Sequence, residues 1–221
     1  MTHSFLYIYD PLCGWCYGAA PRLADLEKDY EVEMLPAGLF SGAGARPLDH
    51  SFASYAWASD QKIARLTGQT FSRAYQSQIL NGERQTLDST FATLAMTACS
   101  IVEPARGPEA LKLIQDARYV EGKDITDLSI LLDLLSGAGF VDAATLLQDH
   151  MTSVEAETSQ RVAYGQVVLN QMGARGVPTL VADMFGERVL LPTDLLYGSY
   201  EQLTEALNNF SHSIQQDTPA L

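Results

Sequence analysis

The chain has 221 residues, with 14 Lys+Arg against 27 Asp+Glu for a formal charge of −13. At 47% apolar and 19% charged residues it is too hydrophobic to read as disordered, and a chain of this length buries about 70% of its unfolded surface. The acidic balance and the lack of any Lys/Arg cluster argue against a nucleic-acid partner, and no apolar run approaches the roughly 20 residues of a membrane helix.

The N-terminus, Met1-Thr2-His3-Ser4-Phe5-Leu6, carries no basic region and no small-residue cleavage site, so a cytoplasmic location is expected. Residues 5–9 (FLYIY) are rich in β-branched and aromatic side chains and are closed by Asp10-Pro11, which predicts a buried strand. A helix is expected over 13–28, with Leu23 and Leu26 on its apolar stripe, and a second strand over 31–35. This is a βαβ opening. Residues 38–49 form a Gly-rich loop with no period, and Gly42-Ala43-Gly44-Ala45-Arg46 lacks the Gly-Lys-Ser/Thr ending of a phosphate loop.

From there to about residue 172 nearly everything reads as helix. One helix covers 89–102. Pro108 starts another, with Ala110, Leu113, Ile114 and Ala117 on one face. Thr126 is the expected N-cap before Leu128, Leu131, Leu132 and Leu135, and Gly137 the expected stop. Thr152-x-x-Glu155 has the form of a capping box opening the last long helix, which Gly173 ends. Residues 179–183 and 188–191 then flank Met184-Phe185-Gly186-Glu187, a hairpin signal. A final helix is expected over 199–210, followed by a frayed polar tail.

The order predicts one α/β domain interrupted by an all-helical insertion. Its parts would be 1–45 and 155–210, with the insertion at 46–154 and the tail at 211–221.

Three cysteines are too few for a disulfide scaffold, yet two of them form Cys13-Gly14-Trp15-Cys16. Such a pair is half of a zinc site, a redox pair, or two packed core thiols. Zinc would need Cys99, which sits in the apolar helix segment Thr93-Leu94-Ala95-Met96, and histidines. None of His3, His50, His150 and His212 falls at metal spacing. The redox reading is favoured by position, because the pair follows a strand and opens a helix within a βαβ unit. A thiolate is the attacking species, and unpaired N–H groups at a helix start favour it. Cys13 is therefore expected to be the exposed nucleophile and Cys16 the buried resolving thiol. Trp15 either caps the site or covers apolar surface.

The stretch Tyr9-Asp10-Pro11-Leu12-Cys13-Gly14-Trp15-Cys16-Tyr17-Gly18, with Gly176-Val177-Pro178-Thr179-Leu180 downstream, resembles the DsbA-like branch of the thioredoxin superfamily. More narrowly it is similar to the cytoplasmic FrnE-like group of protein-disulfide isomerases. The resemblance implies a thioredoxin-like domain with a helical insertion, a cis proline at Pro178, and a strand-like backbone edge at Val177 for an extended substrate. It also implies a helix kink at Pro21. Two departures stand out. The residues between the cysteines are Gly14-Trp15 and include no histidine. Tyr7 occupies the position, six before the nucleophile, where related proteins often carry an acid. A more reducing couple than DsbA is expected, with proton transfer at Cys16 left to water or Asp10.

The function expected is thiol–disulfide exchange on protein or small-molecule substrates, with no metal, no bound organic cofactor, no nucleic acid and no membrane. Glutathione enters only as reductant or substrate. Catalytic residues are Cys13 and Cys16, and substrate-binding residues are Gly14, Trp15, Val177 and Pro178. Arg46 and Arg175 flank the expected cleft and are candidates for an acidic substrate. Met34, Met96, Met151, Met172, Met184 and Trp57 read as packing. Two alternatives remain at this stage. One is a glutathione-dependent enzyme of the kappa-transferase or hydroxychromene-carboxylate isomerase type. The other is a peptide-binding module without catalysis.

Overall fold

The computed structural model describes residues 4–83 and 86–217, with side chains of the last helix described as far as Ser211. Strand β1 (Ser4–Tyr9) is followed by two short helices, α1 (Gly14–Gly18) and α2 (Ala20–Leu26), and by strand β2 (Glu31–Pro36) parallel to it. The single helix expected over 13–28 is thus broken at Ala19. Pro21, which has no amide hydrogen to donate, lies in the first turn of α2, where none is needed.

A Gly-rich loop leads to a two-residue strand β3 (Arg46–Pro47), paired antiparallel with β4 (Thr86–Leu87), so the insertion is not purely helical. Between these strands lie α3 (His50–Thr67) and a π-helical segment, Tyr75–Leu80. Four helices follow: α4 (Thr90–Val102), α5 (Gly107–Tyr119), α6 (Leu128–Gly137) and α7 (Val141–Asp149). Helix α4 is apolar nearly all round because it is buried on several sides, against α5, α6, α7 and α8 (Met151–Gln171). The chain ends with the hairpin β5 (Thr179–Met184) and β6 (Glu187–Leu190), then α9 (Tyr200–Asp217).

Several expected boundaries move. Asp127, not Thr126, caps α6, its carboxylate accepting the Ser129 amide at 2.8 Å; Thr126 is held instead by Asp124. The capping box at Thr152 does not form. The His150 carbonyl already accepts the amides of Ser153 and Val154, so α8 begins before Thr152, and the 154/155 boundary falls inside this helix. Residues 211–217 continue α9 and are not a frayed tail. No glycine or proline interrupts them, and the last four residues of the tail lie outside the described residues.

The sheet order is β2-β1-β5-β6, with β5 antiparallel to both β1 and β6. Strand period places Phe5, Tyr7 and Tyr9 on one face, in the same core cluster as Leu23 and Leu26 of α2, Ile114 of α5 and Leu203 of α9. Leu6 and Ile8 face the other way, with Val168 of α8 and Val181. Gly165 allows α8 to lie against β2: a Cβ there would stand 2.7 Å from the Pro36 carbonyl oxygen. Phe185 and Gly186 both have positive φ, the signature of a two-residue turn whose twist matches the strands it joins.

Candidate active site

Strand β1 ends at the turn Asp10-Pro11-Leu12, which delivers Cys13 to the start of α1. Asp10 holds this turn. Its buried carboxylate accepts the amides of Leu12 (2.9 Å) and Phe40 (3.0 Å) and the hydroxyl of Ser89 (2.9 Å), tying β1 to the Gly-rich loop and to the start of α4. Burial raises its pKa, and the three donors oppose that shift. This carboxylate is a structural tie, so no proton route through it enters the mechanism below.

Cys13 is the N-cap residue of α1. Its sulfur accepts the Cys16 amide at 3.4 Å, and its thiol faces the Val177 carbonyl at 3.7 Å. The Val177–Pro178 bond is cis. Both cysteines are free thiols, Cys16 fully buried and Cys13 only 8% exposed. The expected open exposure of Cys13 is corrected: its remaining surface belongs to the wall of a cavity. Burial pushes the Cys16 thiol well above its usual range, and the neighbouring Cys13 sulfur adds to the effect.

Tyr7 donates to the Cys16 carbonyl at 3.3 Å. Buried at the position where an acid was looked for, its hydroxyl is raised well above 10 by desolvation and by both cysteines, so it serves as a hydrogen-bond donor and not as a base. Trp15 is half-buried, its ring tilted against Tyr197 at 5.1 Å, and the Tyr197 hydroxyl donates to the Trp15 carbonyl at 3.4 Å. Trp15 thus packs on Tyr197 and lines the cavity.

That cavity, about 240 Å³, is walled by Cys13, Gly14, Trp15 and Val177 from the redox motif and by Phe40, Phe52, Asp60, Tyr75, Arg118 and Tyr119 from beyond it. Four of the six residues named in advance, Cys13 among them, therefore meet there. Pro178 is buried behind Val177 and, with Arg175, lines a separate cleft on the far side of the cis bond. Arg46 is exposed and lies over the rings of Phe40 (5.3 Å) and Phe52 (5.2 Å), at the edge of the cavity. Cys99 is buried in α4, its thiol pushed up to about 12 by burial. Among the described residues no group of three or more His, Cys, Asp or Glu is placed to hold a metal, and His3 and His212 lie outside those whose side chains are described.

Sequence reasoning missed the polar residues that the insertion brings to the cavity. Gly14 and Gly18, one turn apart on α1, let α3 close in: a Cβ on Gly14 would lie 2.5 Å from Asp60 Oδ1, and one on Gly18 2.6 Å from Ile63 Cγ2. The Asp60 carboxylate accepts the Tyr75 hydroxyl at 3.0 Å, and burial pushes its pKa up to about 7. The buried face of α5 runs through Leu111, Ile114, Gln115 and Arg118, while Leu113, expected on it, is only half-buried. An arginine four residues after Ile114 and seven after Leu111 was the available signal for Arg118.

A family model described as a DSBA-like thioredoxin domain matches residues 7–204. No curated protein matches the chain significantly. Among solved structures, the cytosolic disulfide reductase DsbM from Pseudomonas aeruginosa is 30% identical with a TM-score of 0.79, over 93% of this chain and 97% of that one. A second structure of DsbM, with GSH, is 28% identical with a TM-score of 0.78, over 93% and 98% of the two chains. A candidate protein disulfide isomerase from Nitrosomonas europaea is 26% identical with a TM-score of 0.76, over 99% and 100%. A 2-hydroxychromene-2-carboxylate isomerase, 15% identical with a TM-score of 0.56 over 97% and 99%, shares the fold alone. Among the described residues no helix is long and apolar enough to cross a membrane. With its motif, its cis proline and the model match agreeing, the chain belongs to the DsbA-like thioredoxin family, whose fold is that of disulfide oxidoreductases.

Proposed function

We propose that the protein is a cytoplasmic thiol–disulfide oxidoreductase, a reductase or isomerase, acting on protein or small-molecule disulfides, with glutathione as its reductant. The observation that carries this reading is the placement of the Cys13 sulfur. It sits on a cavity wall, 3.4 Å from the Cys16 amide and 3.7 Å from the carbonyl before a cis proline, with Cys16 buried behind it. The DsbM structures, one of them with GSH, support the reducing direction and the choice of reductant.

In the cycle, the Cys13 thiolate attacks one sulfur of a substrate disulfide. A mixed disulfide forms and the other sulfur leaves as a thiolate. Cys16, once deprotonated, attacks the Cys13 sulfur, closes the Cys13–Cys16 disulfide and expels the second substrate thiolate. The substrate gains two electrons and the protein loses them. Two glutathione thiols return them through a second mixed disulfide and leave as glutathione disulfide.

Division of labour between the cysteines follows from their surroundings. The Cys16 amide donates to the Cys13 sulfur and holds it at the cavity wall, whereas burial and the neighbouring Cys13 sulfur keep Cys16 protonated until Cys13 is taken up in the mixed disulfide. The Val177 carbonyl offers a backbone acceptor to an extended substrate, Pro178 holds that edge, and Gly14 and Trp15 form the wall beside the scissile sulfurs.

Equilibration in graded glutathione buffers, acid quench, alkylation and mass counting tests the proposal. The expected result is a reversible two-thiol transition, lost in Cys13→Ser and in Cys16→Ser. A midpoint near about −270 mV agrees with a reductant and one near about −120 mV would reverse the direction. Absence of a Cys13–Cys16 disulfide at every poise would overturn the reading and favour a glutathione-dependent enzyme without a dithiol cycle.

A further inference from the structure

The cavity beside Cys13 holds a carboxyl group and a guanidinium that disulfide exchange does not require. Asp60 lies directly against Gly14, next in sequence to the nucleophile, and is 4% exposed. Arg118 is 1% exposed, with Nε and Nη1 lacking a hydrogen-bond partner among the described residues. Its guanidinium carbon stands 5.6 Å from the centre of the Tyr75 ring and 5.9 Å from that of Tyr119, so aromatic faces support the cation without using those two N–H groups. Tyr75 lies between the two charges, donating to Asp60 and facing Arg118.

Leaving guanidinium N–H groups unpaired in a buried site is costly, and the groups that pair best with them are planar carboxylates. A carboxylate and a guanidinium on the wall of one cavity complement a molecule carrying an ammonium and a carboxylate on the same carbon. Apart from Cys13 and Ser59, the rest of the wall is apolar and aromatic. At about 240 Å³ the cavity is below the roughly 300–1,000 Å³ of pockets that enclose drug-sized ligands, so it admits a small head group and not a folded peptide.

We propose that Asp60 and Arg118 form a subsite for the α-amino-acid end of a low-molecular-weight thiol or disulfide, Asp60 taking the ammonium and Arg118 the carboxylate. The substrate class is thereby an amino-acid-derived disulfide or mixed disulfide, such as cystine or one carrying a γ-glutamyl end. This inference rests on the Cys13 exchange chemistry proposed above and adds to it a specificity determinant contributed by the helical insertion. Arg118 and Asp60 act here on substrate binding, and the bonds made and broken remain those of Cys13 and Cys16.

The test uses the reduced full-length protein at pH 8, where Asp60 is ionised, in single-turnover oxidation by four small disulfides. These are cystine (both charges), cystamine (ammonium only), dithiodipropionate (carboxylate only) and hydroxyethyl disulfide (neither). The neutral probe is the internal reference. Wild-type protein is expected to favour cystine over that reference by about tenfold or more. Arg118→Met should collapse the preference for carboxylate-bearing probes, and Asp60→Asn the preference for ammonium-bearing probes, each by about tenfold. Equal loss on all four probes in either variant, or no preference in the wild type, overturns the subsite. The wild-type comparison decides even if a variant misfolds. Failure of the underlying exchange reading is distinct: no probe would then oxidise the Cys13–Cys16 pair.

Discussion

Replacing Asp60 by asparagine isolates the energetic consequence of burying a carboxyl group beside the redox motif. Burial raises its pKa from the ordinary 3.8 to about 7, with the Tyr75 hydrogen bond and the Arg118 charge opposing the shift. Between those pH values the native state keeps a proton that the unfolded chain has released, so stability falls by about 1.4 kcal/mol per pH unit. The contribution is fully present below 3.8 and is lost by about pH 7, a total of about 4 kcal/mol. Asparagine cannot ionise. Relative to wild type, Asp60→Asn should therefore gain about 4 kcal/mol between pH 4 and pH 8. Urea unfolding at four pH values, followed by the fluorescence of Trp15 and Trp57, gives the two stability curves. Their difference removes groups common to both proteins, including Asp10, whose shift has the same sign. A difference changing by less than about 1 kcal/mol across this range would show that Asp60 ionises in the native state as it does in the unfolded chain, and would refute the reasoning.

Three further outcomes are expected. Cys16→Ser should accumulate a mixed disulfide on Cys13 when mixed with a small disulfide, seen as a stable mass adduct; prompt release of that adduct would remove Cys16 from the resolving role. In the native protein at pH 8, alkylation should modify Cys13 alone, because Cys16 and Cys99 are both buried and both raised in pKa; labelling of Cys99 without denaturant would contradict its packing. Gly165→Ala should destabilise the fold by about 1–3 kcal/mol, because a Cβ there meets the Pro36 carbonyl oxygen, which belongs to the sheet and cannot swing away. Unchanged urea stability would mean that α8 and β2 separate at little cost.

What the sequence determined by itself is local. Residues 5–9 form a strand because five apolar and aromatic side chains in a row lack helical period. The Phe185-Gly186 turn follows from the spacing of two short strands around a glycine. Gly173 stops α8 in the left-handed conformation that glycine adopts without strain. The Cys13-Gly14-Trp15-Cys16 motif, placed at a strand-to-helix junction, was legible for the same reason, a short-range pattern whose chemistry depends on spacing. Val177-Pro178 far downstream carries no such pattern, and only the family resemblance singled it out. Boundaries were less legible. The choice between Thr126 and Asp127 as cap, or the break at Ala19, depends on backbone angles that neighbouring elements set.

The tertiary structure alone decided which distant residues share the cavity. Asp60 lies in a polar run, Ser59-Asp60-Gln61, that reads as solvated surface; it is buried because Gly14 and Gly18 let α3 press against α1. Arg118 looks like one more charged residue near the end of a helix until α5 is found with that face inward. The order β2-β1-β5-β6 carries Val177 to within reach of Cys13, 164 residues away in the chain. Periodicity reports which face of an element is apolar but not what that face meets. Where a buried face carries a polar group, packing assigns its partner, and here packing sets an acid and a guanidinium beside the reactive sulfur.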